Sequence, residues 1–71
     1  MVNYNLLNDK VKQSGLKYNH IAEIMGVSNS VLSAKINGKR KLNLDDAVGL
    51  AKALNLTRAD VQSIFFADDV E

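Results

Sequence analysis

The 71-residue chain contains no cysteine, no proline and no tryptophan, and it has a single histidine. Without cysteine there is neither a disulfide framework nor a thiolate metal site, the two staples on which small domains often depend. With His20 as the only imidazole, a metal site would have to be built from carboxylates alone, so no metal is expected. Long hydrophobic runs are missing too. The longest, Ile64-Phe65-Phe66-Ala67, falls far short of the roughly 20 residues that cross a bilayer. The first residues, Met1-Val2-Asn3-Tyr4-Asn5, have neither the basic stretch nor the apolar stretch of a secretory signal. A soluble, cytoplasmic protein with no membrane partner is expected. No glycine-rich phosphate loop and no nucleophile paired with a base appears, so neither an enzyme nor a cofactor or small-molecule effector is expected. A chain of this length hides only about 60% of its unfolded surface on folding, and packing, capping or oligomerisation must supply its stability.

What is present is unevenly spread. The net charge of +1 conceals a basic half and an acidic half. Residues 1–41 carry seven Lys or Arg against Asp9 and Glu23, a surplus of +5, whereas residues 42–71 carry Lys52 and Arg58 against six acids, a balance of −4. A basic half suits a polyanionic partner such as nucleic acid or an anionic membrane face.

Apolar residues, 46% of the chain, recur at helical spacing and nowhere alternate cleanly over the length of a strand. Tyr4, Leu7 and Val11 form one stripe; Leu44, Ala47, Val48 and Ala51 form another. Gly15, Gly26 and Asn37-Gly38 divide the chain, which predicts five helices near residues 4–14, 18–25, 29–37, 44–54 and 58–66. Asn3, Ser28, Asn43 and Thr57 are candidate N-caps, their side-chain oxygens suited to unpaired amides of the first turn, and Thr57 with Asp60 makes a short acidic capping box. Lys17 is a poor cap for the second helix. Every start also has staple spacing: Val2 with Leu7, Leu16 with Ile21, Val27 with Leu32, Leu42 with Ala47, and Leu56 with Val61.

Residues 18–37 carry the chemistry. Two short helices joined by a tight turn can cross closely if the first is small where they meet and the turn accepts a left-handed backbone; Ala22 and Gly26 provide these properties. Leu32 would face back into the angle with Ile21 and Met25, and Ser28 would cap the next helix. Asn29, Ser30, Ser33 and Ala34 are left on an outer face whose small polar side chains suit a DNA major groove. Asn can read adenine, Ser several base edges, and Ala the thymine methyl. The plainer reading is that Asn and Ser simply favour first turns. Asn37-Gly38-Lys39-Arg40-Lys41 follows, a turn with three successive cations that fits phosphate contacts, which position a protein without reading sequence.

Ile21-Ala22-Glu23-Ile24-Met25-Gly26-Val27-Ser28, Leu32-Ser33, Asn37-Gly38-Lys39-Arg40 and Leu50-Ala51-Lys52-Ala53-Leu54 together resemble the helix-turn-helix domain of phage repressors and Cro proteins, from about Leu6 to Ile64. The resemblance implies an all-α, compact five-helix bundle of the lambda-repressor-like type, with residues 1–66 as the DNA-binding domain and 67–71 as a short acidic tail. It implies that the third helix enters the major groove, with Asn29, Ser30, Ser33 and Ala34 at base-reading positions. Tyr18, where the family commonly has a phosphate-bonding Gln, matches a phosphate contact together with Ser28, Asn37, Lys39, Arg40 and Lys41. Lys35 stands where the family usually has an apolar residue and Ile36 where a polar one is usual. The last turn is therefore expected to pack through Leu32 and Ile36, with Lys35 snorkelling outward.

Lys10, Lys12 and Lys52 read as exposed helix-face cations, and His20 as facing solvent or the DNA backbone. Asp45 and Asp46 read as first-turn acids favoured by the helix dipole. Phe65 continues the Val61 and Ile64 stripe and belongs to the core. Phe66 is one step off it, either covered by the tail or a candidate dimer contact. The function implied is that of a Cro-like transcriptional repressor binding a double-stranded DNA operator as a homodimer. The alternative from another class is a protein-binding helix-turn-helix module, such as an antitoxin or antirepressor, whose acidic tail would meet a basic partner.

Overall fold

A computed structural model describes residues 2–66. Its helices are α1 (Tyr4–Ser14), α2 (Tyr18–Met25), α3 (Asn29–Ile36), α4 (Leu44–Leu54) and α5 (Arg58–Phe65). The start signals act as their chemistry suggests. Asn3, Ser28, Asn43 and Thr57 each accept a hydrogen bond from the backbone N–H three residues on, whereas Lys17 supplies no side-chain bond to α2. The five apolar residues at the staple positions, Val2, Leu16, Val27, Leu42 and Leu56, are all half-buried against the core.

Each helix contributes at least one fully buried aliphatic side chain: Leu7 from α1, Ile21 from α2, Leu32 and Ile36 from α3, Leu50 from α4 and Ile64 from α5. Phe65 is buried beside them. The core therefore forms at the common meeting point of five short helices, none of which could bury a face alone. α4 packs across α2, α2 against α3, and α1 against α5. The Asn3 N–H also donates to the carbonyl of Ile64 at 2.7 Å, which joins the start of the bundle to its last helix.

α2 and α4 approach each other closely at Gly49. A Cβ there would stand 3.2 Å from Met25 Cγ. The face that α4 turns inward is not the one its spacing predicts. Ala47 is buried, but Leu44 is 69% and Val48 46% exposed, and the inward face is formed by Asp46, Ala47, Leu50 and the half-buried Leu54. α4 has apolar residues around most of its circumference, so periodicity alone could not choose among its faces.

Candidate nucleic-acid interface

The turn between α2 and α3 is built from backbone geometry. Gly26 has φ +73°, in the left-handed region, and open space where a Cβ would go, so conformation rather than crowding calls for glycine. Its N–H donates to the Glu23 carbonyl at 3.2 Å, and the Val27 N–H donates to the Ala22 carbonyl at 3.0 Å. This paired closure ends α2 and turns the chain sharply into α3. Ser28 is extended, and its Oγ accepts from the Val31 N–H at 3.2 Å. Ala22 and Leu32 are buried on the two sides of the angle.

α3 packs inward through Leu32 and Ile36, as expected from the departure of Lys35 and Ile36 from the pattern of the resemblance. Asn29 and Ser30 are exposed at its start, while Ser33 and Ala34 are half-buried. Ser30 Oγ lies 3.3 Å from Ser28 Oγ, and Asn37 Nδ2 donates to Ser33 Oγ at 3.4 Å, so two of these hydroxyls already take part in local bonds. Tyr18 is half-buried at the first turn of α2, and His20 is exposed.

The basic loop is held to α3 through one carbonyl. Ala34 O accepts from both the Lys39 N–H at 2.8 Å and the Arg40 N–H at 3.2 Å. Gly38, with φ +80°, lies under the ring of Tyr4. Ser28, Asn37, Lys39, Arg40 and Lys41 are all exposed, and none of the three cations pairs with a carboxylate among the described residues.

Lys35 does not snorkel outward. Its Nζ donates to Asp46 Oδ2 at 2.6 Å, with the two side chains only 13% and 9% exposed. The same oxygen accepts from the Asn43 N–H at 3.0 Å, while Asn43 Oδ1 accepts from the Asp46 N–H at 2.8 Å, a reciprocal capping box at the start of α4. Asp46 is thus more than a dipole partner. Burial alone would raise its carboxyl, but the Asn43 N–H and the Lys35 ammonium together outweigh that and hold it below its ordinary value of 3.8. Lys10, expected as an exposed helix-face cation, is half-buried and bridges to Asp60 of α5 at 3.2 Å. Asp60 is also held below its ordinary value, chiefly by the Thr57 N–H it accepts and with help from Lys10. Two cations of the basic half are therefore neutralised across helices, and the Lys39-Arg40-Lys41 trio stands out more sharply from the rest.

Two structural residues gave no signal in the residue pattern. Asn8 Nδ2 donates to the carbonyls of Tyr4 at 2.9 Å and Ile36 at 3.2 Å, fastening the last turn of α3 to α1. Gly49 sits inside a helix, where spacing rules give no reason for it. Asp46, by contrast, stands three residues after Asn43, the same spacing that identified Thr57 and Asp60. That rule applied once more would have found it.

The chain matches the family model described as Helix-turn-helix over residues 7–61, from within α1 into the first half of α5. It is a Cro/C1-type helix-turn-helix protein. The family is a DNA-binding regulatory domain, and the five-helix, all-α arrangement is the one it shares. No curated protein and no solved structure matches the chain. In the helix-turn-helix, α2 and α3 form the motif's two helices, and Gly26 its turn. Among the described residues no cluster of His, Cys, Asp or Glu could hold a metal ion, and no helix is long and apolar enough to cross a membrane.

On the opposite side of α4, Leu44, Val48, Ala51, Leu56, Val61 and Phe66 line a shallow apolar groove. Phe66 is 37% exposed at its end. The acidic tail of residues 67–71 lies outside the described residues.

Proposed function

We propose that this DNA-binding helix-turn-helix regulator is a Cro-like repressor that occupies a double-stranded operator as a homodimer, with α3 in the major groove. One observation carries the reading. The Lys39-Arg40-Lys41 loop, exposed like Asn29 and Ser30 at the start of α3, is tied by the carbonyl of Ala34 to the last turn of the same helix, which supports a groove-reading helix that carries its own phosphate-gripping loop. Asn29, Ser30, Ser33 and Ala34 are assigned to base edges; Tyr18, Ser28, Asn37, Lys39, Arg40 and Lys41 are assigned to phosphates. Repression follows from occupying a promoter against polymerase. The second copy is assigned to the groove ending at Phe66, because exposed Leu44, Val48 and Phe66 form a continuous apolar surface that solvent alone leaves unfavourably wet. A two-fold dimer reads paired half-sites.

The test is selection of bound duplexes from random DNA at fixed salt, followed by a salt titration on the selected duplex. The expected result is a short inverted repeat and an affinity falling linearly in log salt, with a slope of about −0.9 per phosphate neutralised. Failure to enrich any sequence at any salt would overturn the reading and favour a protein-binding role for the same scaffold.

A further inference from the structure

Lys39, Arg40 and Lys41 sit on a loop that is fixed at its near end by Ala34, whose carbonyl accepts from Lys39 and Arg40 but not from Lys41. The far end, Lys41-Leu42-Asn43, reaches the rest of the molecule differently. The Asn43 N–H donates to Asp46 Oδ2, and that same oxygen accepts from Lys35 Nζ in the last turn of α3. A single carboxylate oxygen therefore bridges the helix before the loop and the residue after it. We infer that Asp46 is a positioning residue for DNA binding, clamping the far end of the basic loop to α3 through Lys35 so that Lys41 is held in line with Lys39 and Arg40.

This inference rests on the DNA-binding reading above, and it makes a prediction opposite to that of charge alone. Asp46→Asn removes a negative charge beside the interface and frees the Lys35 ammonium. By charge count, DNA should bind more tightly and with a steeper salt dependence. If Asp46 positions the loop, the outcome reverses. Asparagine offers the Asn43 N–H only a neutral oxygen, a weaker acceptor than the carboxylate, and it cannot hold the Lys35 ammonium as a counter-ion, so the link between the two ends of the loop is loosened at both partners. Lys41 then no longer grips a phosphate in register.

The experiment measures affinity for a random-sequence duplex between 50 and 200 mM salt for the full chain, Asp46→Asn, and the double variant Lys35→Met with Asp46→Asn. The double variant keeps the net charge of the wild type and leaves neither charge of the pair buried without its partner, the situation that makes removal of one partner strongly destabilising. It therefore keeps the test open should the single variant fail to fold. Release of one phosphate flattens the salt slope by about 0.9, so the variants should lose about 3.5-fold less affinity than the wild type across this fourfold salt range. They should also bind more weakly at its lower end. Folded variants that bind as tightly as the wild type, or more tightly and with an equal or steeper slope, would overturn the assignment.

Amide hydrogen exchange supplies a readout independent of DNA. In both variants the Asn43 amide should exchange faster, with Lys39 and Arg40 unchanged because Ala34 still holds them. Unchanged exchange at Asn43 would remove the clamp whatever the DNA result. A wild type that binds no duplex would end the DNA reading, and the exchange data would then decide the clamp by themselves.

Discussion

Replacing Gly26 by alanine isolates the energy of one backbone conformation. A Cβ at this position meets nothing within 4 Å, so no side chain has to move to receive it. The backbone must nevertheless stay at φ +73°, which an L-residue bearing a Cβ occupies at a cost of about 1–2 kcal/mol. Alanine has fewer unfolded conformations to give up, which returns a few tenths of a kcal/mol to about 1. The net expectation is a loss of about 1 kcal/mol, a fall in melting temperature of about 4–8 °C for a domain of this size. Two controls surround it. Asn55 occupies the same left-handed position at the end of α4, with φ 54°, so Gly26→Asn should be milder than Gly26→Ala. Gly49→Ala should go the other way. Alanine gains about 1 kcal/mol of helix propensity over glycine, and the neighbour 3.2 Å away is the flexible, half-buried Met25 side chain, which can yield. Thermal and urea unfolding followed by circular dichroism gives all three values. A Gly26→Ala protein as stable as the wild type would refute the conformational argument, and so would an alanine milder than asparagine. A loss well above about 3 kcal/mol would mean a steric collision that the geometry denies.

Asn29→Ala and Ser30→Ala should each reduce discrimination between DNA sequences by about 1–3 kcal/mol, whereas Lys39→Ala and Arg40→Ala should weaken all sequences alike; competition binding checks this, and loop variants that change preference while helix variants do not would reverse the assignment. Phe66→Ser should shift a micromolar dimer to monomer in sedimentation, and an unchanged dimer, or a monomeric wild type, would exclude the contact. Because the folded-state carboxyl of Asp46 lies below 3.8, its stabilisation is complete above that pH and disappears as the pH falls through the lower folded value. The stability gap between wild type and Asp46→Asn, measured by urea unfolding, should therefore narrow below pH 3.8, and a gap independent of pH would contradict the pairing. Asn8→Ala leaves the Ile36 carbonyl without its Nδ2 donor and should lower stability by about 1–2 kcal/mol in urea unfolding, with an unchanged midpoint indicating that water replaces the amide.

The helices were legible because each start carries its own local chemistry within a few residues. Asn3, Ser28, Asn43 and Thr57 cap the backbone directly after them, and Gly26 closes α2 through its own left-handed turn. The features that escaped are those whose partners are remote in sequence or absent from any spacing rule. Lys35 turns inward because of a carboxylate eleven residues on, across a helix junction, and Lys10 finds its acid on α5. The inward face of α4 was ambiguous because Leu44, Ala47, Val48, Leu50 and Leu54 surround much of its axis, and only packing against Met25 and the rest of α2 selects one side. Asn8 looks like any polar helix residue until Ile36 is brought beside it. The residue types of the candidate interface could be read because the turn that presents them is local; how firmly they are held could not.

The hydrogen bonds from Lys39 and Arg40 to Ala34 place the near end of the loop by main-chain atoms, and α3 is anchored by Leu32 and Ile36 from its inner side. Neither attachment uses the side chains of Asn29 or Ser30. Mutation can therefore explore those two positions almost independently of folding, as interchangeable type set in a fixed frame. A lineage built on this scaffold can acquire a new vocabulary without relearning how to hold the page.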